Sequence, residues 1–125
     1  MQLDHLILNV IDREKSLQFY KDILEFTQEA DDGPFAVLRV NPDLTLQLAP
    51  WGTQGGEHLA FALKRAEFLE VFSRIQQKGV PYGDAFDTVG NMQGPGDETG
   101  ARGLGKAVYF FDPNRHLLEI RCYEM

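Results

Sequence analysis

The feature that most constrains the fold of this chain is a weak internal repeat. A strand pattern, a helix pattern and a proline-centred hairpin occur twice in the same order, over about residues 1–50 and about residues 57–125. The two hairpins are centred on Asn41-Pro42-Asp43 and Asp112-Pro113-Asn114, which are typical turn sequences. The repeat predicts one domain of 125 residues built from two α+β modules.

Apolar periodicity gives the expected limits of the elements. Alternation over Leu3–Val10 predicts a strand, and Asp12 is the expected N-cap of the helix that follows. The helix over Ala66–Lys78 is expected to bury Phe68, Leu69, Phe72 and Ile75. The remaining predicted strands cover Phe35–Val40, Leu44–Ala49, His58–Leu63, Ala107–Phe111 and Leu117–Tyr123.

The segment Gly83–Lys106 differs from the rest of the chain. It holds seven of the 12 glycines and has no apolar periodicity. Long unstructured connections are uncommon in small domains and often serve as lids or binding loops. We therefore expect a loop here, with binding of a ligand and simple solvation of its charges as equal alternatives.

Charge and cysteine content narrow the class of protein. The net charge of −7 argues against nucleic acid as a partner, because binding of phosphates needs clustered Lys and Arg. The single cysteine, Cys122, cannot form an internal disulfide, which indicates a reducing compartment, and we expect the cytoplasm. No stretch approaches the roughly 20 apolar residues of a membrane-spanning helix, so no membrane partner is expected.

Four polar side chains occupy matching places in the two copies. Successive side chains of a strand point to opposite faces, so each of these residues lies opposite an aliphatic face. The four residues are His5 and Gln47 in the first copy, and His58 and Glu119 in the second. We expect the aliphatic faces to pack under the helices and the mixed faces to line a concave surface, where these side chains meet around one metal ion.

Each of these residues has a simpler interpretation. A lone histidine or glutamate on a strand is more often a hydrogen-bonded or solvated surface residue. Two imidazoles and a carboxylate on matching faces, however, suit a divalent metal with open positions. For Gln47, a metal ligand and an ordinary hydrogen-bonded amide are about equally supported.

Four segments together resemble the vicinal oxygen chelate superfamily of glyoxalases, bleomycin and fosfomycin resistance proteins, and extradiol dioxygenases. They are Leu3-Asp4-His5-Leu6, Arg13–Leu24, Glu57–Phe61 and Tyr109–Ile120. The resemblance implies two βαβββ modules in a partly open barrel, and a divalent ion (Fe, Mn, Ni, Co or Zn) held by His5, His58 and Glu119. It also implies a homodimer.

The resemblance further implies a small, oxygen-rich substrate that chelates the metal. In glyoxalase-like lyases and isomerases, Glu119 would be the catalytic carboxylate that moves a proton. Bacterial glyoxalase I-like proteins usually have Glu at the position of Gln47, so this chain departs from them. Its two histidines and one carboxylate also suit a dioxygenase.

Four further side chains are candidates for contact with the substrate. Arg102 and Arg121, together with Lys106, offer positive charge to an anionic substrate, and Tyr109 is a possible proton donor. The competing interpretation is a non-catalytic module that sequesters a drug or other small ligand, as bleomycin resistance proteins do. Such a module has no need for His5, His58 and Glu119 together.

Overall fold

The computed structural model describes all residues of the chain, 1–125. Two helices and nine strands form two compact units, residues 1–54 and residues 55–125. Neither helix has both the length and the apolar character needed to cross a lipid bilayer.

The first unit is a four-stranded sheet with one helix. Its elements are β1 (His5–Asn9), α1 (Arg13–Leu24), β2 (Thr27–Asp32), β3 (Phe35–Asn41) and β4 (Leu44–Ala49). The strand order is β1-β4-β3-β2, in which β1 is parallel to β4 and the other pairs are antiparallel. The hairpin predicted around Pro42 is therefore confirmed.

Local sequence explains the limits of α1. The Asp12 carboxylate accepts a hydrogen bond of 3.0 Å from the Lys15 backbone N–H, which confirms the predicted N-cap. At the other end Glu25 takes a left-handed conformation with φ of 57° and stops the helix. Leu17, Tyr20 and Ile23 are buried where α1 packs on β3 and β4.

The second unit repeats this plan with a larger sheet. Its elements are β5 (His58–Ala62), α2 (Arg65–Gln77), β6 (Tyr82–Gly83), β7 (Gly96–Gly100), β8 (Gly103–Phe111) and β9 (Leu117–Cys122). The order is β5-β9-β8-β6, and β7 also pairs with β8. Since β7 pairs with the first half of β8 and β6 with the second, the two short strands together replace a single strand.

The two units share one strand register. In the first, His5 lies opposite Thr45 and Ile7 opposite Gln47. In the second, His58 lies opposite Leu117 and Ala60 opposite Glu119. In each unit the candidate amide or carboxylate thus lies two residues after the residue that pairs with the histidine, and on the same face of the sheet. The α+β class with two strand-helix-strand modules is confirmed.

Two expectations drawn from the sequence are wrong. The segment 83–106 is not one loop, because β7 and the start of β8 form a hairpin within it. Only residues 84–95 and the turn residues 101–102 lack strand structure. Its glycines hide the strands from apolar periodicity. Leu69 is 45% exposed, whereas Val71 is buried with Phe68 and Ile75, so the apolar face of α2 is rotated from the expected one.

Candidate metal and substrate site

The candidate site of the second unit begins with a pair formed across β5 and β9. His58 Nε2 lies 3.0 Å from Glu119 Oε1. The His58 side chain is 48% exposed, while that of Glu119 is only 5% exposed. The residue opposite Glu119 on β5 is Ala60, whose small side chain leaves the space beside the two groups open. A largely buried carboxylate and an accessible imidazole therefore face each other.

Arg121 holds the second oxygen of this carboxylate. Its Nη1 donates to Glu119 Oε2 at 2.6 Å, and its Nη2 donates to the carbonyl oxygen of Glu98 at 2.9 Å. Burial alone would lower the pKa of Arg121, but the hydrogen bond to Glu119 and the attraction of its charge outweigh burial and raise that pKa. Both oxygens of Glu119 therefore have hydrogen-bond partners.

A glycine makes room for the Arg121 guanidinium. A Cβ atom on Gly100 would lie 2.3 Å from Arg121 Cζ and 2.5 Å from Tyr123 Oη, far inside van der Waals contact. The Arg121 guanidinium carbon also lies 4.6 Å from the Tyr123 ring centroid. Gly100 and Tyr123 therefore fix the direction from which Arg121 reaches Glu119.

Tyr109 completes the polar face of the sheet. It lies directly opposite Glu119 on β8, and its ring centroid is 6.3 Å from that of His58. Burial, followed by the charges of Glu119 and Glu98 and a hydrogen bond to Glu119, raises the pKa of Tyr109 to about 12. The side chain remains a neutral phenol near pH 7, able to donate its proton in a hydrogen bond.

A cavity of about 360 Å³ opens beside the His58–Glu119 pair. Its walls come from β5, the β7–β8 turn with the end of β7, and the end of β9. The lining residues are His58, Ala60, Ala62, Thr99, Gly100, Ala101, Arg102, Glu119, Arg121 and Tyr123. The structure thus gathers four of the residues singled out in the sequence, His58, Arg102, Glu119 and Arg121, around one space.

The matching face of the first unit has different surroundings. His5 Nδ1 lies 2.8 Å from an oxygen of the exposed Asp4 carboxylate, and the His5 side chain is 46% exposed. Gln47 is buried, and its Nε2 donates to Asp32 at 3.5 Å. The residue opposite Gln47 on β3 is Val37. Within neither unit do three or more His, Cys, Asp or Glu side chains gather closely enough to hold a metal ion.

The three cationic side chains considered as contacts for an anionic substrate differ in their partners. Lys106 Nζ lies 2.6 Å from the Asp97 carboxylate, and Arg121 is paired with Glu119. Arg102 remains exposed at the rim of the cavity. His116, the third histidine of the chain, is fully buried and accepts a hydrogen bond from the Glu57 backbone N–H.

Sequence reasoning missed two residues that shape this site, Gly100 and Tyr123. The parity of β9 carried a signal for Tyr123, because Glu119, Arg121 and Tyr123 alternate along one face. Gly100 offered no such signal, since its importance depends on the position of Arg121.

Comparisons with known proteins cover nearly the whole chain. The family model described as the Glyoxalase/Bleomycin resistance protein/Dioxygenase superfamily matches residues 2–120. Virulence protein STM3117 of Salmonella typhimurium is 28% identical over 131 residues, which cover 98% of this chain and 84% of that protein.

Two further relatives carry names that refer to oxidation. A manganese-dependent 2,3-dihydroxybiphenyl 1,2-dioxygenase of Geobacillus genomosp. 3 is 32% identical over 93% of this chain, which spans only 35% of that enzyme. The solved structure of oxidase ChaP-H1 is 31% identical, with a TM-score of 0.80 and coverage of 98% of this chain and 95% of that one. By its sequence match and its repeated modules, the chain belongs to the Glyoxalase/Bleomycin resistance protein/Dioxygenase superfamily.

Proposed function

We propose that this protein is a divalent-metal-dependent enzyme that catalyses oxygenation of a small, oxygen-rich substrate. In this proposal His58, Glu119 and His5 hold the ion, and the substrate occupies the cavity beside them. The observation that carries the proposal is the His58–Glu119 pair, which opens on a cavity and is fixed from behind by Arg121.

The donor atoms of the second unit fit a metal ion. Nitrogen and oxygen ligands lie about 2.1 Å from a small divalent ion, so two neighbouring ligands at right angles are separated by about 3.0 Å. The distance from His58 Nε2 to Glu119 Oε1 is 3.0 Å. An imidazole and a carboxylate at this spacing can bind one ion with little movement, and His5 supplies the third ligand that the second unit lacks.

A divalent ion in a set of two histidines and one carboxylate supplies a Lewis acid with open coordination positions. The chain itself supplies the surroundings. Arg121 orients the buried Glu119 and balances its charge. Tyr109 keeps its proton near pH 7 and can donate a hydrogen bond on this face. Ala60 and Ala62 leave room for a substrate.

The surroundings of Glu119 favour oxygenation over glyoxalase-type proton transfer. A base that moves between metal and substrate needs a mobile carboxylate, whereas Arg121 restrains Glu119 through its 2.6 Å hydrogen bond to Oε2. Gln47 stands where bacterial glyoxalase I-like proteins usually have a carboxylate, and an amide cannot carry that proton. The dioxygenase and oxidase names of two relatives support the same choice.

Metal reconstitution tests the ligand set. Anaerobic loading with Fe(II), Mn(II), Co(II), Ni(II) or Zn(II), followed by elemental analysis, should give one ion per chain in the unmodified protein. His58→Ala and His5→Ala should each lose most of the metal. Glu57→Gln, a matched control that removes an exposed carboxylate beside His58, should keep it. Full occupancy in His58→Ala would contradict the proposed site.

Oxygen consumption separates the enzyme from a sequestering module. Iron- or manganese-loaded protein should consume oxygen when mixed with a catechol that has neighbouring hydroxyl groups. Binding of such compounds without oxygen uptake, by both the iron-loaded and the manganese-loaded protein, would favour the sequestering module. Selective uptake of nickel, cobalt or zinc with activity on a hemithioacetal would favour a lyase.

A further inference from the structure

The charges that line the cavity do not cancel. Glu119 and Arg121 neutralise each other through their 2.6 Å contact. Arg102 also lines the cavity, and its guanidinium has no carboxylate partner. The wall of the cavity therefore carries one uncompensated positive charge in a protein whose net charge is −7.

Arg102 is held in place at the tip of a hairpin. It occupies the two-residue turn between β7 and β8, which is closed by the pairing of Gly100 with Gly103. Its backbone N–H donates to Tyr123 Oη at 3.3 Å. Its guanidinium carbon lies 4.4 Å from the centroid of the Tyr123 ring. These contacts limit the positions open to the side chain, and so lower the entropy cost of binding a ligand.

Contact with the Tyr123 ring leaves the hydrogen bonds of Arg102 available. The N–H groups of a guanidinium lie in its plane, so a guanidinium stacked on an aromatic face can still present them to a planar anion. A carboxylate accepts two parallel bonds from such a fork, and these are among the stronger hydrogen bonds in proteins. No acceptor of this chain satisfies them, which leaves them for a ligand.

We propose that the substrate carries an anionic group, such as a carboxylate, that is bound by Arg102 at the rim of the cavity. This inference rests on the proposed function, in which neighbouring oxygens of the same molecule bind the metal. It narrows the substrate class to small molecules with a chelating end and an acidic end.

The other cations near the cavity cannot take this role. Arg121 is 4% exposed at its side chain and is bound to Glu119, while Lys106 is paired with Asp97. The overall field of an acidic protein repels anions at long range. An acidic group at the rim, away from the proposed metal, therefore needs a local cation, and Arg102 is the side chain that lines the cavity without a carboxylate partner.

The size and walls of the cavity point to a compact acid. Its volume of about 360 Å³ is near the lower end of ordinary ligand pockets, which suits a molecule of about one ring. Ala60, Ala62 and the Tyr123 ring add apolar surface between the polar groups. A hydroxylated aromatic acid has the required combination of a flat apolar body, chelating oxygens and one negative charge.

Paired ligands test the role of Arg102. Catechol and 3,4-dihydroxybenzoate share the same neighbouring hydroxyl groups and differ by one carboxylate. Titration calorimetry on Zn(II)-loaded protein, in which the metal is redox-inert, should show tighter binding of the acid. Arg102→Gln should weaken binding of 3,4-dihydroxybenzoate about tenfold and change that of catechol less than about twofold, since a charged hydrogen bond is lost only for the acid.

Arg115→Gln is the matched control. Arg115 is likewise an exposed arginine over a ring, with its guanidinium carbon 4.1 Å from the Phe111 centroid, but it does not line the cavity. This variant should bind both ligands as the unmodified protein does. Equal affinity of the unmodified protein for catechol and the acid, or equal losses in the two arginine variants, would overturn the inference.

Metal content separates this result from a failure of the proposed function. Arg102→Gln should keep a full complement of zinc, because Arg102 is not a ligand in the proposed site. If the unmodified protein binds no metal, the proposed function fails. The affinities of the metal-free protein for benzoate and for benzamide then test the role of Arg102. Preference for benzoate that Arg102→Gln removes would support the anion site alone, and no preference would overturn it.

Discussion

The two units of this protein use the same strand register to build faces with different chemistry. In both, a histidine on the first strand sits diagonal to a polar residue on the last one. In the second unit that residue is Glu119, with Arg121 and Tyr109 around it. In the first unit it is Gln47, with Val37 opposite.

This difference shows that register alone does not make a charged site. A carboxylate can be buried in a sheet only if a partner balances its charge and its hydrogen bonds are satisfied. Arg121 meets that requirement in the second unit. The position two residues beyond Gln47 is Ala49, whose side chain offers neither charge nor hydrogen bonds. A neutral amide therefore suits the first unit better.

Loss of Arg121 should produce the largest effect on stability. Arg121→Met leaves a buried carboxylate without its partner and should lower the free energy of unfolding by about 3–5 kcal/mol. The double variant Glu119→Gln/Arg121→Met should recover much of that loss, because the unpaired charge is gone. Gln47→Leu in the first unit should cost about 1 kcal/mol or less. Urea unfolding followed by circular dichroism measures all three, and an equal cost for Arg121→Met and Gln47→Leu would refute this comparison.

Removal of the Glu119 charge should have the next largest effect, on metal affinity. Glu119→Gln is expected to weaken binding of Mn(II) by at least about 100-fold, since loss of a group that only orients a ligand already costs about 10–100-fold. Gln47→Ala should change the affinity by less than about fivefold if the amide is not a ligand. Competition with a fluorescent chelator gives both values. A large loss in Gln47→Ala would make the first unit an equal contributor to the site.

A smaller effect is expected from the glycine behind Arg121. Gly100→Ala places a methyl group against Arg121 and Tyr123, and the resulting displacement should cost about 1–3 kcal/mol of stability and weaken metal binding. Gly33 lies in the turn after β2, and a Cβ atom there would meet no atom within 4 Å. The only strain in Gly33→Ala therefore comes from the positive φ of +56°. This variant should cost about 1 kcal/mol and leave metal affinity unchanged. Thermal unfolding with metal titration distinguishes the two outcomes.

The smallest expected effect is on the stability of the fold at acid pH, to which the two units contribute through different hydrogen-bond partners. A hydrogen bond from Arg39 lowers the pKa of Glu29 in the first unit, whereas hydrogen bonds from Asn91 and Thr88 lower that of Asp84 in the second. A depressed pKa in the folded state gives stability that is present above the ordinary pKa and is lost as pH falls.

Melting temperatures between pH 3 and 6 measure this contribution. Glu29→Gln and Asp84→Asn should each flatten the fall in melting temperature toward low pH. Added salt should remove the contribution of Glu29, which depends on a charged partner, and spare that of Asp84, whose partners are neutral. The same response to salt in both variants would contradict the assigned causes.

The sequence was most informative where side-chain alternation and capping act locally. Asp12, the hairpin at Pro42 and the parity of Glu119 follow from two or three neighbouring residues, and the structure agrees on the elements they define. The strand β7 was not predictable, because Gly96–Gly100 has no apolar pattern and is defined by pairing with β8. The roles of Gly100 and Tyr123 also depend on contacts with Arg121 across strands, which no local pattern reveals.

The most direct test of the proposed site is an anomalous difference map from crystals of the Mn(II)-loaded protein. We expect one strong peak per chain, bound by His58 Nε2, a Glu119 oxygen and a ring nitrogen of His5. The same map would show whether His5 belongs to the same chain or to a second copy. An ion bound elsewhere, or one that contacts neither His58 nor Glu119, would contradict the proposed metal site.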